Sequence, residues 1–243
     1  MNDAALEVRV AAGLRLFLPA RHRRERVRVP YDGTSSLGHV VESLGIPLPE
    51  VGRMVAGDLP REPAYRPVAG QVVEVAEVPR PERLPAPRFT LDVHLGALAR
   101  RLRLVGVDTA YANDVDDDTL IQQANRERRV LLTQDRWLLR RRALWRGAYV
   151  RGARPAEQLH DVLDRFAPPL APWTRCTACN GELAAVAKDD VEHLLQPGTR
   201  RNYRDFSRCE SCGRVYWRGA HSGRLAAIVD AALATVATTG SPG

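Results

Sequence analysis

The 243-residue sequence predicts an α/β protein: a mostly parallel sheet layered with helices, a small β-grasp domain before it and a cysteine module after it. Three observations predict this. Between residues 89 and 166, short apolar runs alternate four times with helix-period segments, as buried parallel strands alternate with their crossovers. Before residue 79, valine-rich alternating strands flank one capped helix. After residue 170, all four cysteines fall in two C-x-x-C pairs.

Residues 1–79 read as the β-grasp, ubiquitin-like domain. VRV at 8–10 and RVRV at 26–29 alternate as half-buried strands do, and Tyr31-Asp32-Gly33 marks a turn. In SSLGHVVESLG a serine N-cap precedes Leu37, Val40, Val41 and Leu44 at helical spacing, and Gly45 stops the helix. QVVEVAEV at 71–78 is the last strand. A sulfur-carrier role needs a free C-terminal Gly-Gly. The chain instead runs on through Val78-Pro79-Arg80-Pro81, which leaves an RNA- or protein-contacting accessory, or plain scaffolding.

A Pro-rich linker at 80–88 follows, its prolines favouring extended structure. The central domain, 89–170, opens with the strand FTL and Asp92. In HLGALARRLRLVG, Leu95, Leu98, Leu102 and Val105 share one face while Arg100, Arg101 and Arg103 lie elsewhere. DTAY at 108–111 is a second strand. A helix begins near Asp117 with Leu120, Ile121 and Ala124 inward, and the third strand spans 129–133. A short helix after Asp135 leads to a fourth strand at 148–150. PAEQLHDVLDRF closes the domain with Leu159, Val162, Leu163 and Phe166 on one stripe. The cysteine module occupies 171–223, and 224–243 read as a short alanine-rich helix with a disordered TTGSPG end.

A net charge of +7 and a pI near 9.7 favour a polyanionic partner. Lys188 is the only lysine, so arginine carries nearly all the positive charge. A GC-rich genome explains the preference for arginine over lysine but not the excess of cations. MNDAALEVRV lacks the apolar core of a signal peptide, and RLAAIVDAALATVA is interrupted by Asp230 and too short to span a bilayer. The sequence therefore predicts a cytoplasmic protein with no membrane partner.

An aspartate lies just beyond an apolar run twice, Asp92 after FTL and Asp135 after VLLT. Between them Asp114, Asp116, Asp117 and Asp118 precede a helical pattern. In parallel sheets functional groups gather beyond the carboxyl ends of the strands. Magnesium and manganese prefer carboxylate oxygens, which makes Asp92, Asp116, Asp117, Asp118 and Asp135 candidate Mg²⁺ or Mn²⁺ ligands. In phosphodiester hydrolysis such ions activate a water and stabilise the leaving oxygen. A second reading stands beside this one. Asp117 or Asp118, and Asp135, directly precede helical patterns and suit N-caps, whereas Asp92 ends a strand.

After Asp135, Arg136, Arg140, Arg141, Arg142 and Arg146 run without an intervening acid, with Trp137 and Trp145 interleaved. Such a run suits single-stranded RNA, and single-stranded DNA as a second polyanion. The tryptophans read as core residues and the arginines as partly RNA-contacting. Cys176, Cys179, Cys209 and Cys212 have the spacing of a tetrahedral zinc site. With four thiolates no position stays open for a reactive water, so the zinc is structural. His193 and His221 are spare candidates, and Arg200, Arg201, Arg204 and Arg208 lie within the insertion.

FTLDVHLGALARRLRLVGVD, DDDTLIQQA and RRVLLTQDRWL together resemble the C-terminal nuclease domain of the exonuclease Mut-seven proteins, within the PIN-like ribonuclease superfamily. The resemblance continues through EQL at 157–159 and RCTACN at 175–180 to CGRVYWRGAH at 212–221. Bacterial members often carry an N-terminal ubiquitin-like domain, similar to residues 1–79. The resemblance implies a PIN-like three-layer α/β/α fold and metal-dependent RNA hydrolysis. By position, Asp92 matches the first acid, Asp117 the acid before the middle helix and Asp135 the acid of T-x-D. Gln134 departs from the arginine more usual in that motif, and the run Asp116-Asp117-Asp118 leaves the middle ligand open. A catalytically silent RNA-binding adaptor is the alternative, and any protein partner of the ubiquitin-like domain is unspecified.

Overall fold

The computed structural model describes residues 4–85, 87–219 and 222–239. The chain divides into two compact units: Met1–Pro79 with Thr133–Tyr149, and Arg80–Leu132 with Val150–Gly243.

In the first unit, β1 (Ala5–Val10) pairs antiparallel with β2 (Arg26–Pro30). Alternation along β1 sends Leu6, Val8 and Val10 into the core. After the hairpin the Asp32 carboxylate accepts from the N–H groups of Thr34 and Ser35, and Ser36 caps α1 (Leu37–Ser43) by accepting from His39 N–H. β3 (Val51–Ala56), β4 (Leu59–Pro60) and β5 (Val72–Glu77) complete a five-stranded sheet in the order β2-β1-β5-β3-β4. Its central pair, β1 and β5, is parallel, with α1 between them in sequence. That is the β-grasp arrangement. Leu37, Val40 and Val41 share its core with the strands.

The second unit holds a parallel sheet. β6 (Phe89–Leu91) leads into α2 (Gly96–Leu104), and β7 (Thr109–Tyr111) into α3 (Asp117–Glu127). Next comes β8 (Val130–Thr133). β6 pairs in parallel with both β7 and β8, Leu91 lying beside Tyr111 and Leu132. Every residue of β6 and β8 is buried, as parallel strands covered on both faces require. The stripe Leu95, Leu98, Leu102 and Val105 is buried as its periodicity predicts. Arg103, which lies off that stripe, is buried as well, at 2% exposure. Its Nε donates to Thr109 O at 2.9 Å, and its Nη1 to Thr177 O at 3.3 Å and Ala178 O at 2.8 Å.

From Thr133, the last residue of β8, the chain runs in the first unit to Tyr149, ending in the short strand β9 (Gly147–Tyr149). Here Tyr149 N–H donates to the buried Glu50 carboxylate at 2.8 Å, and the Tyr149 ring meets Phe17 edge-on. The chain returns to the second unit with α4 (Pro155–Phe166), whose apolar stripe Leu159, Val162, Leu163 and Phe166 is buried. The proline-rich segment is held against this helix. Arg80 pairs with Asp161 at 2.8 Å and Asp164 at 2.9 Å, and Glu82 pairs with the buried Arg165 at 3.0 Å.

The cysteine module is a three-stranded antiparallel sheet of β10 (Leu183–Val186), β11 (Phe206–Cys209) and β12 (Val215–Trp217). Its insertion folds as α5 (Lys188–Val191) and α6 (Pro197–Asn202) over a small core of Val191, Leu195 and Phe206. α7 (Ser222–Thr239) is longer than predicted and takes in Thr238 and Thr239; the rest of TTGSPG, and His221, lie outside the described residues.

Candidate functional site

The parallel register brings the carboxyl ends of β6, β7 and β8 to one edge, and each strand is followed within a few residues by an aspartate. Asp92 follows β6 directly. It is 8% exposed; its N–H donates to Leu132 O at 3.0 Å, and its own carbonyl accepts from Leu95 N–H at 2.9 Å. The turn beside it is held by Tyr111, whose hydroxyl donates to Val93 O at 2.8 Å. A Cβ on Gly96 would lie 2.5 Å from that hydroxyl oxygen, so a larger residue there would push the Tyr111 ring aside.

Asp116 is the N-cap of α3: its Oδ1 accepts from Thr119 N–H at 2.9 Å and its Oδ2 from the Thr119 hydroxyl at 2.8 Å. These bonds, the backbone one first, hold its carboxyl below the usual range. Both Asp116 oxygens therefore serve the helix. Asp117 and Asp118 follow in the first turn, both exposed. Asp135 lies two residues past Thr133. Its Oδ1 accepts from Trp137 N–H at 2.7 Å, and its backbone N–H donates to Thr133 Oγ1 at 2.9 Å. The cap thus falls at Asp116, not at Asp117 or Asp118 as the sequence suggested, because Asp116 is the residue whose oxygens reach Thr119. Asp135 caps no helix: it closes a turn on Trp137 N–H, and Trp137 itself precedes the short 3-10 turn Leu138–Arg140. Among the described residues, the only group of three or more potential ligands that meets around one point is the four cysteines, so the carboxylates are not drawn into so close a set.

The arginine run lies in the first unit and divides in two. Arg136 is a structural residue: its guanidinium donates to Phe17 O at 2.9 Å and Leu16 O at 3.0 Å and lies over the Phe17 ring. Arg140 stacks on Trp137 at 4.8 Å and approaches Glu42 at 3.8 Å, while Arg146 lies 5.9 Å from the Trp145 ring centre. Trp137 and Trp145 are 72% and 46% exposed, which overturns their expected place in the core. Amphipathic indoles seated under guanidinium groups lose less by exposure than bare apolar side chains do. Arg141 and Arg142 are exposed, and with Arg140, His39 and Glu42 they line a cleft of about 410 Å³ beside α1.

Cys176, Cys179, Cys209 and Cys212 present their sulfurs within 4.8 Å of one another, with Cys176–Cys212 at 3.7 Å and Cys179–Cys209 at 3.4 Å. Sulfurs bound tetrahedrally about 2.3 Å from one zinc sit roughly 3.8 Å apart, so the set fits such an ion. Each knuckle is closed by its backbone: Asn180 N–H donates to Cys176 O and Gly213 N–H to Cys209 O, both at 2.9 Å. Burial pushes the Cys176 thiol up, but the Tyr216 hydroxyl and the N–H groups of Cys179 and Ala178 outweigh it and bring it to about 6. Burial and the neighbouring sulfurs push Cys179 up to about 12. One thiolate forms readily and suppresses the next, a conflict that a bound cation removes. Arg103 and Asn180, neither given a site role from the sequence, tie the first knuckle to the sheet: Asn180 Oδ1 accepts from Thr109 N–H and its Nδ2 donates to Asp108.

Residues 87–229 match the family model of the Mut7-C RNAse domain, and residues 3–83 match that of the Mut7-C ubiquitin domain. Neither the curated proteins nor the solved structures give a match. No helix among the described residues is long and apolar enough to cross a membrane.

Proposed function

This chain belongs to the Mut7-C RNAse domain family, whose model spans more than half of it, and from that premise we propose that it is a metal-dependent ribonuclease acting on single-stranded RNA. The observation that carries the reading is the shared edge of β6, β7 and β8, each strand followed by aspartate. Asp92, Asp117 and Asp135 are the proposed ligands of Mg²⁺ or Mn²⁺. Asp116 is assigned to the helix cap, since both its oxygens are engaged there. When bound, the divalent ion supplies charge neutralisation at the phosphate and makes water a better nucleophile at neutral pH. The backbone bonds that hold Asp92 at the strand end, and the Trp137 N–H bond to one Asp135 oxygen, limit the reorganisation that binding requires. Arg140, Arg141, Arg142 and Arg146 would hold the RNA backbone while Trp137 and Trp145 stack on bases. The four cysteines would hold a structural zinc, in the reducing setting of a cytoplasm.

The test is cleavage of end-labelled single-stranded RNA with added Mn²⁺ or Mg²⁺ by the wild type, Asp117→Asn and Asp135→Asn, each checked for folding. Cleavage confined to the wild type supports the reading. Equal residual cleavage in all three removes it. Chelation alone is a poor control, because it also strips the cysteine site. The exposed tryptophan–arginine stacks favour one second reading, an RNA-binding adaptor without catalysis. That reading requires salt-sensitive RNA binding and no cleavage.

A further inference from the structure

We propose a second RNA site in the cysteine module: the groove between its sheet and the end of α2 takes an unpaired nucleotide, the base against aromatic side chains and the phosphate on three cations. The groove measures about 630 Å³, within the roughly 300–1,000 Å³ of small-ligand sites. Trp173, Tyr216 and Trp217 supply its aromatic surface, and Lys188, Arg204 and Arg218 its positive charge; a fourth cation in the lining, Arg175, donates to Gly106 O and Asn180 O. Asp205 is the one acidic residue among the described residues that line it.

The aromatic surface is built in place. Trp217 is 43% exposed and backed by Phe206, ring centres 6.4 Å apart. Trp173 holds φ at 68°, a conformation bulky residues rarely adopt. It is kept there by its N–H bond to Leu104 O at 3.0 Å, while the Arg218 guanidinium lies 5.3 Å from its ring centre. The preceding loop closes on the same helix end so tightly that a Cβ on Gly106 would sit 2.0 Å from Ala171 O. One tryptophan held at positive φ and another 43% exposed, beside three cations that face a single acid among the described residues, are poor packing and good base recognition. An apolar ligand would leave the three cations to share one carboxylate, Asp205; a nucleotide satisfies both halves of the groove.

The groove is separate from the aspartate edge. Asp92 precedes the start of α2 and Leu104, at its other end, lines the groove, so the length of that nine-residue helix, roughly 13 Å, separates them. The site would anchor a strand whose scissile phosphate lies elsewhere. It rests on the RNA part of the proposed function and not on catalysis.

The experiment uses the full chain carrying Asp135→Asn, with fluorescein-labelled oligouridylates of about 16 and about 4 nucleotides. Trp217→Ala is expected to weaken binding of the long oligomer about tenfold. Arg204→Ala with Arg218→Ala is expected to flatten its salt dependence by roughly 1.4 in log–log slope. Zinc content and circular dichroism should stay unchanged. Lys188, the only lysine, gives an independent readout: the long oligomer should shield it from amine acylation. Unchanged affinity in these variants, or acylation of Lys188 at the free rate in an RNA-saturated protein, overturns the proposal. Absence of cleavage by the wild type, with Lys188 shielded and binding salt-sensitive, would instead remove the ribonuclease reading and leave the groove standing.

Discussion

Arg103 donates from Nη1 to the carbonyl oxygen of Ala178 at 2.8 Å, reaching from the interior of α2 into the turn between Cys176 and Cys179. The same guanidinium also bonds Thr109 O and Thr177 O, so one buried cation joins helix, strand and cysteine knuckle. Arg103→Met keeps the apolar stem and orphans three carbonyls. It should lower stability by about 3 kcal/mol in urea unfolding. It should also speed loss of metal to a chelator dye. A variant that is destabilised yet releases metal at the wild-type rate would show that the knuckle does not depend on Arg103.

Asp108 gives a pH dependence whose sign is fixed. It bonds Arg129 at 2.7 Å and Asn180 at 2.7 Å; burial raises its carboxyl, and these bonds outweigh it and hold the group below the ordinary carboxylate range. A carboxyl depressed in the folded state stabilises above its unfolded pKa, about 3.9, and loses that contribution as pH falls through its folded value. Urea midpoints should therefore fall below about pH 4. Asp108→Asn should be weaker at neutral pH and change less with acid. Parallel pH curves for the two proteins would refute the assignment.

Much of this architecture was legible because it is local. FTL and VLLT are continuous apolar runs that only burial on both faces explains, and SSLGHVVESLG carries its cap and its stop within eleven residues. What escaped depends on partners distant in sequence. Arg103 sits in a run of arginines off the apolar stripe, and nothing local marks it as buried, because two of the carbonyls it bonds lie 74 and 75 residues further on. Trp137 and Trp145 read as core by residue type, yet the adjacent Arg140 and Arg146 were the signal for exposed stacking. The ambiguity among Asp116, Asp117 and Asp118 is narrowed by Thr119, whose N–H and hydroxyl engage both Asp116 oxygens.

That assignment separates two neighbouring variants. Asp116→Ala removes the cap and should lower the thermal midpoint, with RNA cleavage per folded molecule little changed. Asp117→Asn keeps the fold and should reduce cleavage about a hundredfold or more, the scale of losing a ligand to a catalytic ion. The comparison is cleavage rate against folded fraction for each protein. If Asp116→Ala loses cleavage while staying folded, Asp116 is the ligand and the cap is incidental.

The arginine run offers a matching separation of structure from binding. Arg136 gives its fork to Leu16 O and Phe17 O, so Arg136→Ala strips two charge-assisted bonds and a ring contact. It should destabilise by about 2 kcal/mol without changing the salt slope of RNA binding. Arg142 is exposed beside the cleft at α1, so Arg142→Ala should leave stability within about 0.5 kcal/mol. Its RNA affinity should fall and the slope of log affinity against log salt should flatten by about 0.7, one phosphate contact. Thermal unfolding and fluorescence anisotropy on the same preparations decide it. An Arg136→Ala protein of wild-type stability, or an Arg142→Ala protein of wild-type slope, would break the division of roles.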